Sequence, residues 1–250
     1  MDNSTTIEPR WGNIARERKA MAILRTIAIK SGKDFSGGTW IDIGCGSGGI
    51  AKAIAPHVQK IIAIDPTPWP CWEASSQEQN NLSFLSAEFD GDQLPLAEGM
   101  ADIVICNQVY EHTMAPAKLI RNIERVLKPS GICYFAGPNL LWPIEPHVSW
   151  PFVHWLPRDA AQRIMRLLGS KRADELDAWS KSYWQLASWF EKNGFESSDI
   201  VLERITAELE MQRHKKLAKI TQRTPSIARN ILTPFWPGFI FLLRKKHTGG

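Results

Sequence analysis

Three acidic residues close three short apolar segments: Asp42 in TWIDIGCGSGG (Thr39–Gly49), Asp65 in KIIAID (Lys60–Asp65) and Glu88 in LSFLSAE (Leu82–Glu88). The first runs into Gly44, Gly46 and Gly49, a G-x-G-x-x-G spacing. Glycines let a backbone turn tightly and let a ligand come close where a Cβ would clash. A dinucleotide site uses that closeness to seat a pyrophosphate on a helix N-terminus. Asp42, two residues before the first glycine, argues against phosphate, because a carboxylate repels a diphosphate and attracts an ammonium or a sulfonium. Asp65 stands where an acid accepts hydrogen bonds from both ribose hydroxyls, and Glu88 where it can accept from an adenine amino group. The chemistry implied is the holding of a cationic nucleoside ligand at three successive strand ends.

The segments around these acids have the pattern such a site needs. Helical periodicity runs from Ile14 to Ile29; TWIDI follows as a first strand, and GIAKAIAPHV as a helix ending near Pro56. KIIAID is a continuous apolar run, as in a parallel strand buried on both faces. LSFLSAE and ADIVICNQ supply two more strands. Leu119, Ile120, Ile123, Val126 and Leu127 mark a helix stopped by Pro129 and Gly131, and ICYFAG is a fifth strand. Alternating strands and helices predict an α/β fold with a parallel sheet and right-handed crossovers. Pro138–Lys181 breaks the rhythm. Ser182 and Gln185 then form a capping box for a helix closed at Asn193-Gly194. DIVLERI (199–205) and GFIFLLRKK (238–246) read as two last strands, separated by a charged helix from about Ala207 to Ile220.

The combined pattern resembles the class I S-adenosylmethionine-dependent methyltransferases. IDIGCGSGG is similar to their first motif and IIAID to their ribose-holding strand end. LSFLSAEFDGDQLPLAEGMADIVICNQVYEHT and LIRNIERVLKPSGICYFAGPN are similar to the blocks that follow. The similarity runs from about Ala20 to Asn139 and resumes more loosely from Tyr183 to Lys245. It implies a Rossmann-like, doubly wound, mostly parallel seven-stranded sheet whose last strand is antiparallel, with helical and aromatic lid insertions. It implies one domain: a cofactor-binding core over 14–139, a lid over 140–182, and a C-terminal part over 183–250 with a basic helical insertion near 207–230. The implied cofactor is S-adenosyl-L-methionine. Asp42, Gly44, Cys45 and Gly46 would face its methionine end, Asp65 and Pro66 the ribose, Glu88 with the Phe89 amide the adenine, and Asn107 the sulfonium. AEFDGDQLP is about two residues longer than usual, so Asp90 competes with Glu88 for the adenine. His112, in YEHT, matches a position common in the subgroup acting on small molecules and lipids.

A base is needed where the methyl acceptor carries a proton at neutral pH. His112, His147 and Glu145 are the candidates, with His147 and His112 named as catalytic, each against a structural alternative. The fourth strand ends in CNQVYEHT rather than the Asn/Asp-Pro-Pro-Tyr/Phe pattern that holds nucleic-acid bases, and no RNA-binding module is recognisable, which disfavours a nucleic-acid acceptor. A small-molecule, glycan or lipid-linked acceptor methylated on oxygen is expected. An NAD-dependent oxidoreductase and a non-catalytic cofactor-binding regulator are the alternatives.

The 250 residues hold four cysteines with no CxxC spacing, and no metal ligands are named from the sequence. Neither a secretory leader nor an apolar run long enough to span a bilayer is read, so a cytoplasmic protein is expected. Residues 1–149 carry 13 Lys and Arg against 16 Asp and Glu (−3), whereas residues 150–250 carry 17 against 10 (+7). Trp142, Trp150, Trp155, Trp179, Trp184 and Trp189 fall within 48 residues. They serve to pack a core, to contact the acceptor, or to meet a membrane interface. The basic faces in LPRDAAQRIMRLLGSKR and RHKKLAKITQR are solvated, or they rest on the anionic inner face of a membrane.

Overall fold

The computed structural model describes residues 13–32, 34, 36–89, 91, 93–176 and 180–246. β1 (Thr39–Ile43), β2 (Lys60–Asp65), β3 (Leu82–Ser86), β4 (Ala101–Asn107) and β5 (Leu127–Pro138) run parallel. β6 (Ile144–Glu145) and β7 (Trp150–Pro151) form a separate antiparallel hairpin in the segment after β5. β8 (Phe195–Asp199) and β9 (Gly238–Lys245) complete a seven-stranded sheet of order β3-β2-β1-β4-β5-β9-β8. β9, the last strand in the chain, is antiparallel to both its neighbours. The expected fold class is the one observed.

Side chains alternate across the central strands, so each apolar run feeds two cores. Ile41, Ile43, Ile62, Ile64, Val104 and Cys106 pack on one face beneath α4 (Pro116–Val126) and α6 (Tyr183–Lys192). Trp40, Ile61, Ala63, Ile103 and Ile105 pack on the other with α1 (Asn13–Ser31) and α2 (Gly49–Ile54). Fully burying one such side chain contributes roughly 1.5–3 kcal/mol. Burial on both faces is why these strands read as continuous apolar runs. The Ser182–Gln185 capping box is formed: the Gln185 N–H donates to Ser182 Oγ (3.4 Å) and the Ser182 N–H to Gln185 Oε1 (2.9 Å).

The C-terminal part departs from expectation. DIVLERI is not a strand: Val201–Met211 is helix α7, and the preceding FESSD forms β8. Good helix formers and an i,i+4 pair between Arg204 and Glu208 (2.8 Å) outweigh the β-branched residues there, while Thr206 and Ala207 are buried. The expected charged helix is two helices, α7 and α8 (Lys215–Gln222), parted where Arg213 adopts a left-handed φ of 64°. A further helix, α9 (Ser226–Leu232), follows.

The segment 140–182 has a small aliphatic core of its own, in which Val148, Val153, Ala161, Met165, Ala173 and Leu176 bury one face of α5 (Arg158–Leu167). Trp150 packs against that core and Trp189 against the main one. Trp155 and Trp184 are about half exposed, at 51% and 54%. Trp179 lies outside the described residues.

Candidate active site

The strand order reverses between β1 and β4, the place where open α/β sheets bind ligands beyond the carboxyl ends of their strands. Gly44, Gly46 and Gly48 in the turn after β1 all have positive φ (72°, 53° and 80°). A Cβ on Gly44 would lie 2.4 Å from Val109 Cγ2, and one on Gly48 2.3 Å from the Phe84 ring, so both glycines are required by the fold. A Cβ on Gly46 would meet nothing within 4 Å. Gly46 thus borders open space that a ligand can use. The turn is held by Gly44 and Cys45 N–H groups donating to the Ile64 carbonyl (2.8 and 3.0 Å) and by Trp72 Nε1 donating to the Gly46 carbonyl (2.9 Å). Burial pushes the Cys45 thiol up, so it stays protonated and unreactive.

Asp42 is 3% exposed, and its Oδ2 is among the buried atoms with no hydrogen-bond partner among the described residues. Burial pushes its carboxyl up to about 7, against the pull of Lys19 and Arg16 and with the help of Asp65. Lys19 and Arg16 come from α1 and were not foreseen as site residues. Arg16 donates to Ser47 Oγ in the glycine turn, and burial and Arg204 lower the Lys19 pKa. The charge around Asp42 is therefore mixed rather than purely acidic. Lys19, Asn107 and Gln108 line a cavity of about 310 Å³ between the ends of β4 and β5 and α7. The only sequence signal for Lys19 and Arg16 is the polar interruption of the apolar periodicity in α1.

The Asp65 carboxylate accepts from the Gly46 N–H (2.8 Å) and the Thr67 N–H (3.1 Å). A carboxylate has about four lone-pair positions, so two remain for a diol. Pro66 is half-buried, and its carbonyl accepts from Ser86 Oγ (3.0 Å). Glu88 differs from expectation in position: β3 stops at Ser86, and Glu88 stands exposed in the following loop. Asp90 lies outside the described residues. Phe89 is half-buried. Buried Asn122 on α4 shapes this loop, donating to the carbonyls of Phe89 and Gly91 (3.1 and 3.2 Å) and accepting from the Leu94 N–H (3.1 Å).

The two predicted histidines meet. The His112 and His147 rings pack edge to face with centroids 4.9 Å apart. Glu111 joins them from the turn after β4. It is fully buried, neither carboxylate oxygen has a hydrogen-bond partner among the described residues, and burial raises its pKa to about 7. Glu145 is tied down at both oxygens: its Oε1 is 2.6 Å from His147 Nδ1 and its Oε2 accepts from the Val148 N–H (2.7 Å). Against the push of burial, those bonds hold its carboxyl below the usual range. Arg172 donates to the His147 carbonyl. Tyr110 locks the turn that carries Glu111, its hydroxyl donating to the Pro138 carbonyl and accepting from the Lys181 N–H (both 3.0 Å). His154 is used structurally, with Nε2 at the carbonyls of Leu140 and Trp142 (3.1 and 2.8 Å).

Residues 41–135, which contain the glycine turn, the strand-end acids and the turn carrying Glu111 and His112, match the family model described as a methyltransferase domain. Over that stretch the chain is similar to methyltransferase domains. A human (Homo sapiens) thiol S-methyltransferase, TMT1B, is 27% identical over 146 residues, covering 56% of this chain and 55% of that protein. A ubiquinone biosynthesis O-methyltransferase of Pseudomonas paraeruginosa is 28% identical over 171 residues, covering 63% and 68%. The chain spans little more than half the length of the first of these relatives. The 1,6-didemethyltoxoflavin-N1-methyltransferase of Burkholderia thailandensis, solved with S-adenosylhomocysteine, shares the fold with a TM-score of 0.54 and 14% identity, over 93% of this chain and 79% of that one.

Proposed function

We propose that the chain transfers the methyl group of S-adenosylmethionine to a hydroxyl oxygen of a small-molecule or lipid-linked acceptor. The observation that carries the reading is the buried Asp42 carboxylate, under the charge influence of the half-buried α1 cations Lys19 and Arg16, beside an open glycine turn. A zwitterionic amino-acid end needs both charges side by side. The acid meets the ammonium and the cations the carboxylate, whereas a diphosphate would face Asp42 across a low-dielectric pocket. Asp65 has acceptor positions left for the ribose diol.

Methyl transfer is an in-line displacement. The acceptor oxygen forms a bond to the methyl carbon as the C–S bond breaks, and the electron pair returns to sulfur. Holding the nucleophile about 3 Å from that carbon is the protein's main contribution. The hydroxyl must also be ionised, and the Glu111–His112–His147 cluster next to the end of β4 is where this happens, with Glu145 fixing the His147 ring. The segment 140–182 acts as the acceptor-side lid, because it delivers His147 to that cluster.

Oxygen is favoured over sulfur because ubiquinone O-methyltransferases recur among the relatives, while the thiol S-methyltransferase match keeps a thiol as the competing acceptor. Labelled S-adenosylmethionine incubated with the chain and matched phenol and thiol panels tests the reading. Label on phenols supports it, and label on thiols alone moves the acceptor to sulfur. Tight cofactor binding without transfer to any extract component marks a regulator instead.

A second surface favours an acceptor delivered from a membrane. Ile220, Ile227, Ile231, Leu232 and Phe235 are 56–74% exposed on a stretch that also carries Lys215, Lys216, Lys219 and Arg223. Apolar residues interleaved with basic ones suit an anionic bilayer surface. No described helix is long and apolar enough to cross a membrane.

A further inference from the structure

The geometry points to a divalent metal site formed by Glu111, His112 and His147, which we propose holds a zinc-like ion that binds the acceptor oxygen. One potential ligand atom from each residue lies within 4.8 Å of the other two. Metal–ligand bonds of about 2.0–2.2 Å set tetrahedral donors roughly 3.4 Å apart, so at most about 1.4 Å of closure is needed. The His112 side chain, which is exposed, is the ligand that would move.

Three further features fit an ion better than a plain proton relay. Glu111 is fully buried, and neither of its oxygens has a hydrogen-bond partner among the described residues, an arrangement that is costly unless a cation compensates it. His147 Nδ1 lies 2.6 Å from the buried Glu145 carboxylate, the orienting contact that metal-bound histidines usually make, and it directs Nε2 to the ion. The Val148 N–H, the Arg172 guanidinium and the Tyr110 bonds fix the ligand-bearing backbone at both ends. Two imidazoles and one carboxylate are the donor set of catalytic zinc, and three protein ligands leave a position for substrate.

This use of the ion rests on the methyl-transfer reading; its binding does not. An acceptor hydroxyl coordinated there loses its proton to solvent at neutral pH, because the metal stabilises the oxyanion. That oxygen then displaces the thioether, so the products are the methyl ether, S-adenosylhomocysteine and the released proton. His147 then acts as a ligand, and the ion does the work otherwise asked of a base.

The full-length chain, stripped with a chelator, is titrated with Zn²⁺ by calorimetry and with Co²⁺ by visible absorption. One equivalent should bind at micromolar strength or tighter, and Co²⁺ should show the bands of a low-coordinate nitrogen- and oxygen-ligated ion. Glu111→Gln and His147→Ala should each weaken Zn²⁺ binding more than about 100-fold, and Glu145→Gln about 10–100-fold. Affinity for S-adenosylmethionine should change less than about threefold in each, which also reports that the variant is folded. His112→Asn, at an exposed ring, replaces any variant that does not fold. Wild-type protein that takes up no Zn²⁺ below millimolar concentration overturns the site, as does uptake that the variants leave unchanged. Cofactor binding without metal binding removes this inference alone; metal binding without cofactor binding removes the methyl-transfer reading alone.

Discussion

Asp42 should make cofactor binding depend on pH, and the burial that raises its pKa sets the size of the effect. Its carboxyl titrates at about 7 in the free protein. If the ionised form alone pairs with the cofactor ammonium, affinity follows the ionised fraction, roughly 0.1 at pH 6 and 0.75 at pH 7.5. S-adenosylmethionine should therefore bind about eightfold more weakly at pH 6 than at pH 7.5. Calorimetry in buffers of different ionisation enthalpy should count close to one proton released per cofactor bound at pH 6. Asp42→Asn should bind weakly and show neither effect. The same linkage reverses sign for folding. The folded pKa is raised above the usual 3.8, so the native state binds the extra proton. Stability contributed by this group is present below about pH 4 and is lost as pH rises through 7. Three pK units correspond to about 4 kcal/mol at most, so Asp42→Asn should melt higher than wild type at pH 7.5 while binding less. A pH-independent cofactor affinity in the wild type, or an Asp42→Asn variant that binds normally, would refute the reasoning.

Other substitutions separate fold from site. Asp65→Ala should weaken S-adenosylmethionine binding by about 1.5–3 kcal/mol, as for a lost hydrogen bond to a charged group; unchanged calorimetric affinity takes Asp65 out of the site. Gly44→Ala should lower the melting temperature, because its Cβ would sit 2.4 Å from Val109 Cγ2 at a φ of 72°. Gly46→Ala, pointing into open space at a φ of 53°, should cost only about 1–2 kcal/mol of stability but exclude the cofactor. The opposite ranking in melts and titrations would misplace the ligand. The chain should pellet with anionic vesicles at low salt and release at high salt. Failure to pellet at low ionic strength assigns it a freely diffusing acceptor.

The strands β1, β2 and β4 were legible because each is buried on both faces, so its sequence is mostly apolar, and each carries an acid or an amide at or next to its end. The edge was not. β8 has one buried apolar residue, Phe195, in FESSD, while the Val201 and Ile205 that suggested a strand belong to a helix packed against α1. The break between α7 and α8 carries no glycine or proline, only Arg213 with a left-handed φ, so nothing in the sequence marks it. At the site, the glycine turn and Asp42 were readable from spacing. Lys19 and Arg16 were not, because a cation on a helix reads as solvated until the helix is docked over the turn. Glu111 reads as a loop acid, and its burial follows from Tyr110 tying that loop to Pro138 and Lys181, 28 and 71 residues away. The junction of His112 with His147 depends on the β6–β7 hairpin, whose two-residue strands have no periodicity to detect.

The account turns on which coenzyme the mixed-charge surroundings of Asp42 accept, and parallel calorimetric titrations of the purified chain with S-adenosylmethionine and with NADH decide it. Saturable micromolar binding of S-adenosylmethionine with no heat from NADH is the predicted result. Micromolar NADH binding without uptake of S-adenosylmethionine would contradict it.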